Sequence, residues 1–250
     1  MNLRQRGYCD RILRVDLTTG AISTEPLPAE AMRLLIGGKG LGAYLLLREQ
    51  PPGVHPLSPD NRLIFDVGPL TGTTAPTAGR FGSTTKSPAT GTYSDAYCGG
   101  FFGQILKYAG YDALIVQGAA SEPVTLVIEN DRVEVRSARS LWGQTITEAS
   151  EHLREEYGRD WQSLVIGPPG EKRTNIASIF NETRALARGG VGAVMGSKNL
   201  KAIVARGTGS VAVADRRRFD RALQQANRAI RMSSTITRMR TFGTANILEF

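Results

Sequence analysis

Residues 75–118 read APTAGRFGSTTKSPATGTYSDAYCGGFFGQILKYAGYDALIVQG, a stretch in which glycines, hydroxyls and isolated cations lie between apolar segments. We expect a loop up to the glycine pair Gly99-Gly100, then a short helix that ends at Gly110, then a buried strand over 113–116. A loop that leads into a helix N-terminus presents free backbone N–H groups and the positive end of the helix dipole. The stretch therefore predicts a site for a phosphate or carboxylate rather than part of the core.

The elements around this stretch recur in the second half of the chain. Alternating apolar residues predict a hairpin that begins at residue 11 and another over 125–135. Helices are predicted after each hairpin, over 28–35 and 41–48 in the first half and over 145–157, from a capping box, in the second. A second glycine pair then precedes a short helix and an apolar strand, as the first pair does.

This recurrence predicts an α+β fold that is internally duplicated, with mostly antiparallel sheets and short helices in two halves related by a pseudo-twofold axis. The repeats cover 8–118 and 123–207 within a domain of residues 1–208, and 209–250 begin an all-helical domain. The equivalent turns Gly99-Gly100 and Gly189-Gly190 would face one ligand that is itself twofold. Equally, paired glycines would permit close packing of helix on strand.

Composition and charge narrow the class of protein. The chain has 250 residues, of which 41% are hydrophobic and 22% charged, as is typical of a globular protein. Its net charge is +8, and residues 215–240 contribute most of it, with eight arginines against two aspartates. Apolar residues of that segment, such as Phe219 and Leu223, share one helical face, which favours an amphipathic helix with solvated arginines over a nucleic-acid site.

Cysteines and apolar runs exclude further classes. Cys9 and Cys98 are far apart and form no CxxC pattern, so the chain lacks both a zinc knuckle and a complete iron–sulfur ligand set; a disulfide between them stays open. The N-terminus has no apolar leader, and no run reaches the 18 or so residues that span a bilayer, so we expect a soluble, cytoplasmic protein without a membrane partner. The apolar pattern over 242–250 suggests the front part of a longer protein.

Polar side chains near both glycine turns are cationic on balance. Arginines beside glycine turns suit bidentate phosphate contacts, whereas the alternative is that they pair with Asp66, Asp95 or Glu182 inside the fold. Neither His55 nor His152 belongs to a hydrolase triad, and both are expected to be solvated. The glycine-rich segments 37–42 and 189–199 fail the spacing of the dinucleotide fingerprint and of the P-loop.

Four segments resemble the N-terminal domain of tungsten-containing aldehyde ferredoxin oxidoreductases. They are 61–72 (NRLIFDVGPLTG), 85–91 (TKSPATG), 99–118 and, most specifically, 188–203 (RGGVGAVMGSKNLKAI). The resemblance is collinear from about residue 7 to residue 207, and the remaining residues are similar to the start of the helical domain that follows in this family.

The resemblance implies that residues 1–208 form the base on which a bis-pterin cofactor of tungsten or molybdenum lies, with Mg²⁺ bridging the pterin phosphates. It also implies a [4Fe–4S] cluster whose cysteines lie outside this chain. The implied cofactor-binding positions are Arg80, Tyr97, Gly99, Arg184, Ala185, Arg188 and Gly189. The implied Mg²⁺ ligands are the backbone carbonyls of Tyr97 and Ala185, although Tyr97 replaces the Asn that is frequent in the family. No catalytic residue is assigned.

The resemblance further implies an enzyme that oxidises aldehydes to carboxylic acids and passes electrons to ferredoxin. An aldehyde, ferredoxin and a second copy bound through other domains would be its partners. A same-family enzyme with another substrate, such as a reductase of aromatic acyl thioesters, is an alternative. The third hypothesis is a non-catalytic module that binds a pterin or another phosphate ligand.

Overall fold

The computed structural model describes residues 6–247, and two six-stranded sheets dominate it. The end of the apolar C-terminal pattern, residues 248–250, lies outside the described residues. The elements of the first half are β1 (Arg11–Asp16), β2 (Ile22–Pro26), α1 (Ala29–Leu35), α2 (Lys39–Glu49), β3 (Leu63–Val67), β4 (Phe81–Lys86), β5 (Tyr93–Cys98), α3 (Phe102–Tyr108) and β6 (Ala113–Gln117).

The second half repeats this series, except that it lacks a counterpart of α1 and has an additional short helix, α5, between its third and fourth strands. Its elements are β7 (Val124–Glu129), β8 (Arg132–Ser137), α4 (Ile146–Tyr157), β9 (Gln162–Val165), α5 (Pro168–Glu171), β10 (Ile179–Asn181), β11 (Arg184–Leu186), α6 (Val191–Ser197) and β12 (Leu200–Arg206). The predicted capping box at the start of α4 is confirmed, since Thr145 and Glu148 each bond the other's backbone N–H.

Both sheets have the same connectivity. The strand order is β2-β1-β6-β3-β4-β5 in the first sheet and β8-β7-β12-β9-β10-β11 in the second. The hairpin strand pairs in parallel with the last strand of its own half, as β1 does with β6 and β7 with β12. All other neighbours within the two sheets are antiparallel. The predicted α+β fold and its duplication are therefore confirmed.

Side chains alternate along the inner strands, so that one face of a strand packs in the central core and the other packs beneath an outer helix. On β3, Leu63 and Phe65 lie in the core shared by the two sheets, whereas Ile64 packs beneath α1 and α2. On β9, Leu164 faces the shared core and Val165 the layer beneath α4. The short helices α3 and α6 lie in the shared core, and each also contacts strands of the opposite sheet. The two halves thus pack as one body.

The sequence-based prediction of a loop before Gly99 is wrong. Residues 81–86 and 93–98 are strands that pair with each other, and Phe81 to Thr85 are buried. Thr84 and Thr85 donate hydrogen bonds to the Asp66 carboxylate and the Arg62 carbonyl. Because these hydroxyls find acceptors inside the fold, a hydrophilic segment forms a central strand.

Two helices follow the duplicated region, namely α7 (Arg216–Met232) and α8 (Ser234–Phe242), and a 3₁₀ turn over Gly243–Ile247 comes after them. Phe219 and Leu223 are half-buried on one face of α7 while its arginines are exposed, as the amphipathic pattern predicts. The single helix expected over 215–240 breaks at Ser233, whose hydroxyl caps α8. None of the helices within residues 6–247 combines the length and apolar character that crossing a membrane requires.

Candidate functional site

Two glycine turns, one from each half, lie where the edge strands β5 and β11 contact each other. Gly99-Gly100 follows β5 and precedes α3, and Gly189-Gly190 follows β11 and precedes α6. Six of the seven binding positions that the family resemblance implies lie on these turns or on the segments that lead into them, whereas Arg80 immediately precedes β4, the strand that pairs with β5. The duplicated topology therefore brings positions that are distant in sequence to a common edge.

Close packing accounts for the second glycine of the first turn and for both glycines of the second, where a Cβ atom on Gly190 would lie 2.0 Å from the Asn175 carbonyl oxygen. A Cβ atom on Gly100 would lie 2.1 Å from Asn181 Oδ1, and one on Gly189 would lie 2.0 Å from Ser94 Oγ. Both glycines also have positive φ angles, of 99° and 69°. Gly99 differs, because no described atom beyond its own chain neighbours lies within 4 Å of its Cβ position. The Gly99 backbone is therefore open to a ligand.

The arginines near the turns are exposed and carry no ion-pair partner within residues 6–247. This holds for Arg80 on the first half and for Arg184 and Arg188 on the second. The alternative that they pair with nearby carboxylates is not observed; Glu182, for example, lies 3.4 Å from Arg154 instead. Their charge is thus available to an anion from solution.

Arg80 and Arg184 come from different halves, yet both cations act on the buried thiol of Cys98. Burial raises the pKa of Cys98 to about 11, and the Asn181 backbone N–H and the two arginines oppose that rise. The thiol therefore stays protonated at neutral pH and is a poor nucleophile. Cys98 and Cys9 are both free, so the disulfide left open by the sequence does not form.

The Tyr97 side chain points away from the second half. Residues alternate along β5, so Tyr97 lies on the face opposite to Cys98, beside α2. Its hydroxyl accepts a hydrogen bond of 2.9 Å from the backbone N–H of Lys39, at the start of a helix that has no side-chain cap of its own. Burial, followed by the charge of Asp66, raises the pKa of Tyr97 to about 12. The hydroxyl is thus engaged as a helix cap.

An open pocket of about 400 Å³ lies next to this cap and is lined by Arg80, Tyr97 and the turn at Gly38, among other residues. Next to Gly38 lies Asp66, a fully buried carboxylate on β3. From the sequence it was considered only as a possible ion-pair partner of the arginines. Burial, opposed by a hydrogen bond from Thr84 and supplemented by the charge of Asp95, raises the pKa of Asp66 to about 7.

The remaining implied positions are placed as follows. Ala185 is half-buried on β11 opposite Phe180, and Arg188 immediately precedes the second glycine turn. Within the described part of the chain, no group of three or more His, Cys, Asp or Glu side chains is arranged to hold a metal ion. The Mg²⁺ ligands expected at Tyr97 and Ala185 are backbone carbonyls, and they stay a prediction. His55 and His152 are exposed, as expected.

A family model described as the N-terminal domain of aldehyde ferredoxin oxidoreductase matches residues 12–207. This match extends over most of the duplicated domain. The chain belongs to the aldehyde ferredoxin oxidoreductase family. The family resemblance inferred from residues 61–72 and 188–203 is thereby confirmed.

Relatives within this family differ in the reactions that their names give. The chain is 50% identical over 215 residues to a tungsten-containing aldehyde ferredoxin oxidoreductase of Pyrococcus abyssi, a match that covers 85% of this chain and 35% of the relative. It is 35% identical over 219 residues to the WOR-like subunit of an aliphatic sulfonate oxidoreductase of Pyrococcus furiosus, covering 81% of this chain and 35% of that protein. This aldehyde ferredoxin oxidoreductase family chain thus spans about a third of the length of these relatives.

A solved structure shares the fold. The active-site complex BamBC of benzoyl coenzyme A reductase, in complex with 1,5-dienoyl-CoA, superposes with a TM-score of 0.88 at 39% identity. The superposition covers 90% of this chain and 35% of that chain. The family fold therefore occurs in enzymes with different named substrates.

Proposed function

We propose that this chain is the cofactor-binding part of a tungsten bis-pterin oxidoreductase that oxidises aldehydes to carboxylic acids with ferredoxin as electron acceptor. Closely similar relatives are named tungsten-containing aldehyde ferredoxin oxidoreductases, which supports this proposal. Residues 1–208 would form the cofactor-binding domain and 209–250 the start of a helical domain. The enzyme would act in the cytoplasm as a homo-oligomer that assembles through other domains.

The convergence of unpaired cations from both halves carries this proposal. Arg80 and Arg184 act on the same thiol, Cys98, without a carboxylate partner among the described residues. Gly99, beside Cys98, leaves room for a ligand to approach the backbone. A cofactor with two phosphate-bearing pterins fits such a cationic edge because each half supplies an arginine and a turn.

In the proposed complex, seven residues hold the cofactor. Arg80, Arg184 and Arg188 would neutralise its anionic groups, and Gly99, Ala185 and Gly189 would bind through the backbone. Tyr97 would act through its backbone carbonyl on Mg²⁺, together with Ala185, because its hydroxyl already accepts the Lys39 N–H. When bound, the cofactor would supply the two-electron chemistry, and the electron acceptor would be a [4Fe–4S] cluster whose ligands lie outside this chain.

Metal content tests the proposed site. In the enzyme produced with tungstate, Arg80→Ala and Arg184→Ala should each lower tungsten per chain by about 10- to 100-fold, the usual range for groups that orient a metal centre. Arg139→Ala is the matched control, since that exposed arginine pairs with Glu122 and follows β8, at the edge of the second sheet opposite to β11. Wild-type tungsten content in both site variants would contradict the placement.

A substrate panel tests the reaction. The wild-type enzyme should reduce a viologen dye with simple aldehydes, and a metal-loaded preparation inert towards every aldehyde would refute aldehyde oxidation. The likeness to benzoyl coenzyme A reductase favours a second candidate, a reductase of aromatic acyl thioesters. Oxidation of reduced dye by an aromatic acyl thioester would support that candidate. Tungsten or pterin binding without either activity would favour the non-catalytic module.

A further inference from the structure

Asn181 is the last residue of β10, and its polar side chain is buried inside the fold. Its side chain is 1% exposed. Oδ1 accepts hydrogen bonds from the backbone N–H groups of Phe101 and Phe102, at 3.1 and 3.4 Å. Nδ2 donates to the Ser163 carbonyl at 2.9 Å and to Gln162 Oε1 at 3.2 Å. All four hydrogen-bonding positions of the amide are therefore used.

These bonds join the two halves at the candidate site. Phe101 and Phe102 begin α3 in the first half, and that helix has no cap from its own first residue. Asn181 supplies the cap from the second half, and its Oδ1 occupies the space in which Gly100 would carry a Cβ atom. The first glycine turn is thus seated on a strand of the second half.

The same segment of the second half presents the implied binding residues. Asn181 pairs with Arg184 across the β10–β11 hairpin, and Ala185 follows Arg184 on β11. One side chain therefore connects the first glycine turn to the β10–β11 hairpin that carries Arg184. A converse bond exists, because Ser87 of the first half donates its hydroxyl to the Gly189 carbonyl at 2.8 Å.

We propose that Asn181 is a positioning residue that fixes the Gly99 turn relative to the Arg184–Ala185 strand, so that both halves bind one cofactor. This role rests on the proposed function. Asn181 touches no ligand in this role; it acts by holding the N-terminus of α3 at one distance from β11. A change of that distance would misplace one half's contacts while each half keeps its own fold.

The test compares Asn181→Ala with Leu106→Ala in the enzyme produced with tungstate. Leu106 is a buried residue of α3 in the shared core, so its truncation destabilises the same helix without removing the link. Both variants are kept at a temperature at which circular dichroism shows them folded. Tungsten per chain, the tungsten EPR signal and hydrogen exchange at Phe101 and Phe102 are then measured.

We expect Asn181→Ala to lose tungsten by about 10-fold or more, to alter the EPR signal of the metal that remains and to speed exchange at both amides. Leu106→Ala should keep its tungsten and the wild-type signal. The positioning role is overturned if Asn181→Ala holds wild-type tungsten with a wild-type signal, or if Leu106→Ala loses as much. If the wild-type protein itself contains no tungsten, the proposed function is overturned. If the wild type contains tungsten and only the variants behave otherwise than expected, the positioning role alone is overturned.

Discussion

Replacement of Asp66 by Asn should make the protein more stable above neutral pH. The Asp66 carboxylate is fully buried, and the hydrogen bond that it accepts comes from the Thr84 hydroxyl at 3.1 Å. Its other oxygen, Oδ1, has no partner among the described residues, and the charge that acts on it is that of Asp95, another acid. An ionised carboxylate in such a place is poorly stabilised.

The size of the stability gain expected for Asp66→Asn follows from the pKa of Asp66. Burial raises the pKa of Asp66 from 3.8 to about 7, a difference that corresponds to about 4 kcal/mol in the free energy of unfolding. Because the folded state binds the proton more tightly, this stability is present below about pH 4 and is lost as the pH rises to about 7. Asn removes the charge but leaves its amide NH₂ group unpaired at the position of Oδ1, at a cost of about 1–3 kcal/mol. A net gain of about 1–3 kcal/mol is expected at pH 8.

Urea unfolding at pH 5 and pH 8, at constant ionic strength, measures this gain. The stability difference between variant and wild type should be larger at pH 8 than at pH 5. Asp112→Asn is the contrasting control, since it leaves the buried Lys107 without its carboxylate and should destabilise by about 3–5 kcal/mol. Equal destabilisation by Asp66→Asn at both pH values would refute the reasoning.

Three further results are expected. Burial lowers the pKa of Lys198 to about 7, so the wild-type free energy of unfolding should rise from about pH 7 to pH 10, a rise that Lys198→Met should lack in urea titrations. Gly100→Ala and Gly189→Ala should lower the melting temperature by about 10 °C or more because their Cβ atoms would clash, whereas Gly99→Ala should melt near wild type. Thr145→Ala should cost about 1 kcal/mol of unfolding free energy through loss of the capping box.

Local patterns predicted much of the fold. Alternation identified the hairpins, and the capping box identified α4, because each depends on residues a few positions apart. The paired strands β4 and β5 were missed because the segment Ser83-Thr84-Thr85 is hydrophilic. Its threonines can be buried because the Asp66 carboxylate and the Arg62 carbonyl accept hydrogen bonds from their hydroxyls. Those acceptors are about twenty residues away, beyond the reach of periodicity.

The candidate site was predictable in its glycines and arginines but not in the role of its neighbours. Asn181 is a polar residue that pairs with Arg184 beside the second glycine turn, yet its amide is fully used by hydrogen bonds inside the protein. Nothing in the local sequence distinguishes an asparagine that binds a ligand from one that caps a helix eighty residues earlier. Likewise, Gly99 and Gly100 are adjacent and identical, but only Gly100 is required by packing.

The duplication explains why ligand binding and packing are combined in the same turns. In an isolated half, the turn before the short inner helix, α3 or α6, would lack the hydrogen bond that the other half supplies. In the assembled domain the second half caps α3 through Asn181, and the first half binds the turn before α6 through Ser87. The second glycine of the first turn and the first of the second turn make this exchange sterically possible. The exposed arginines and the open Gly99 backbone therefore lie at an edge that exists only when both halves are packed together.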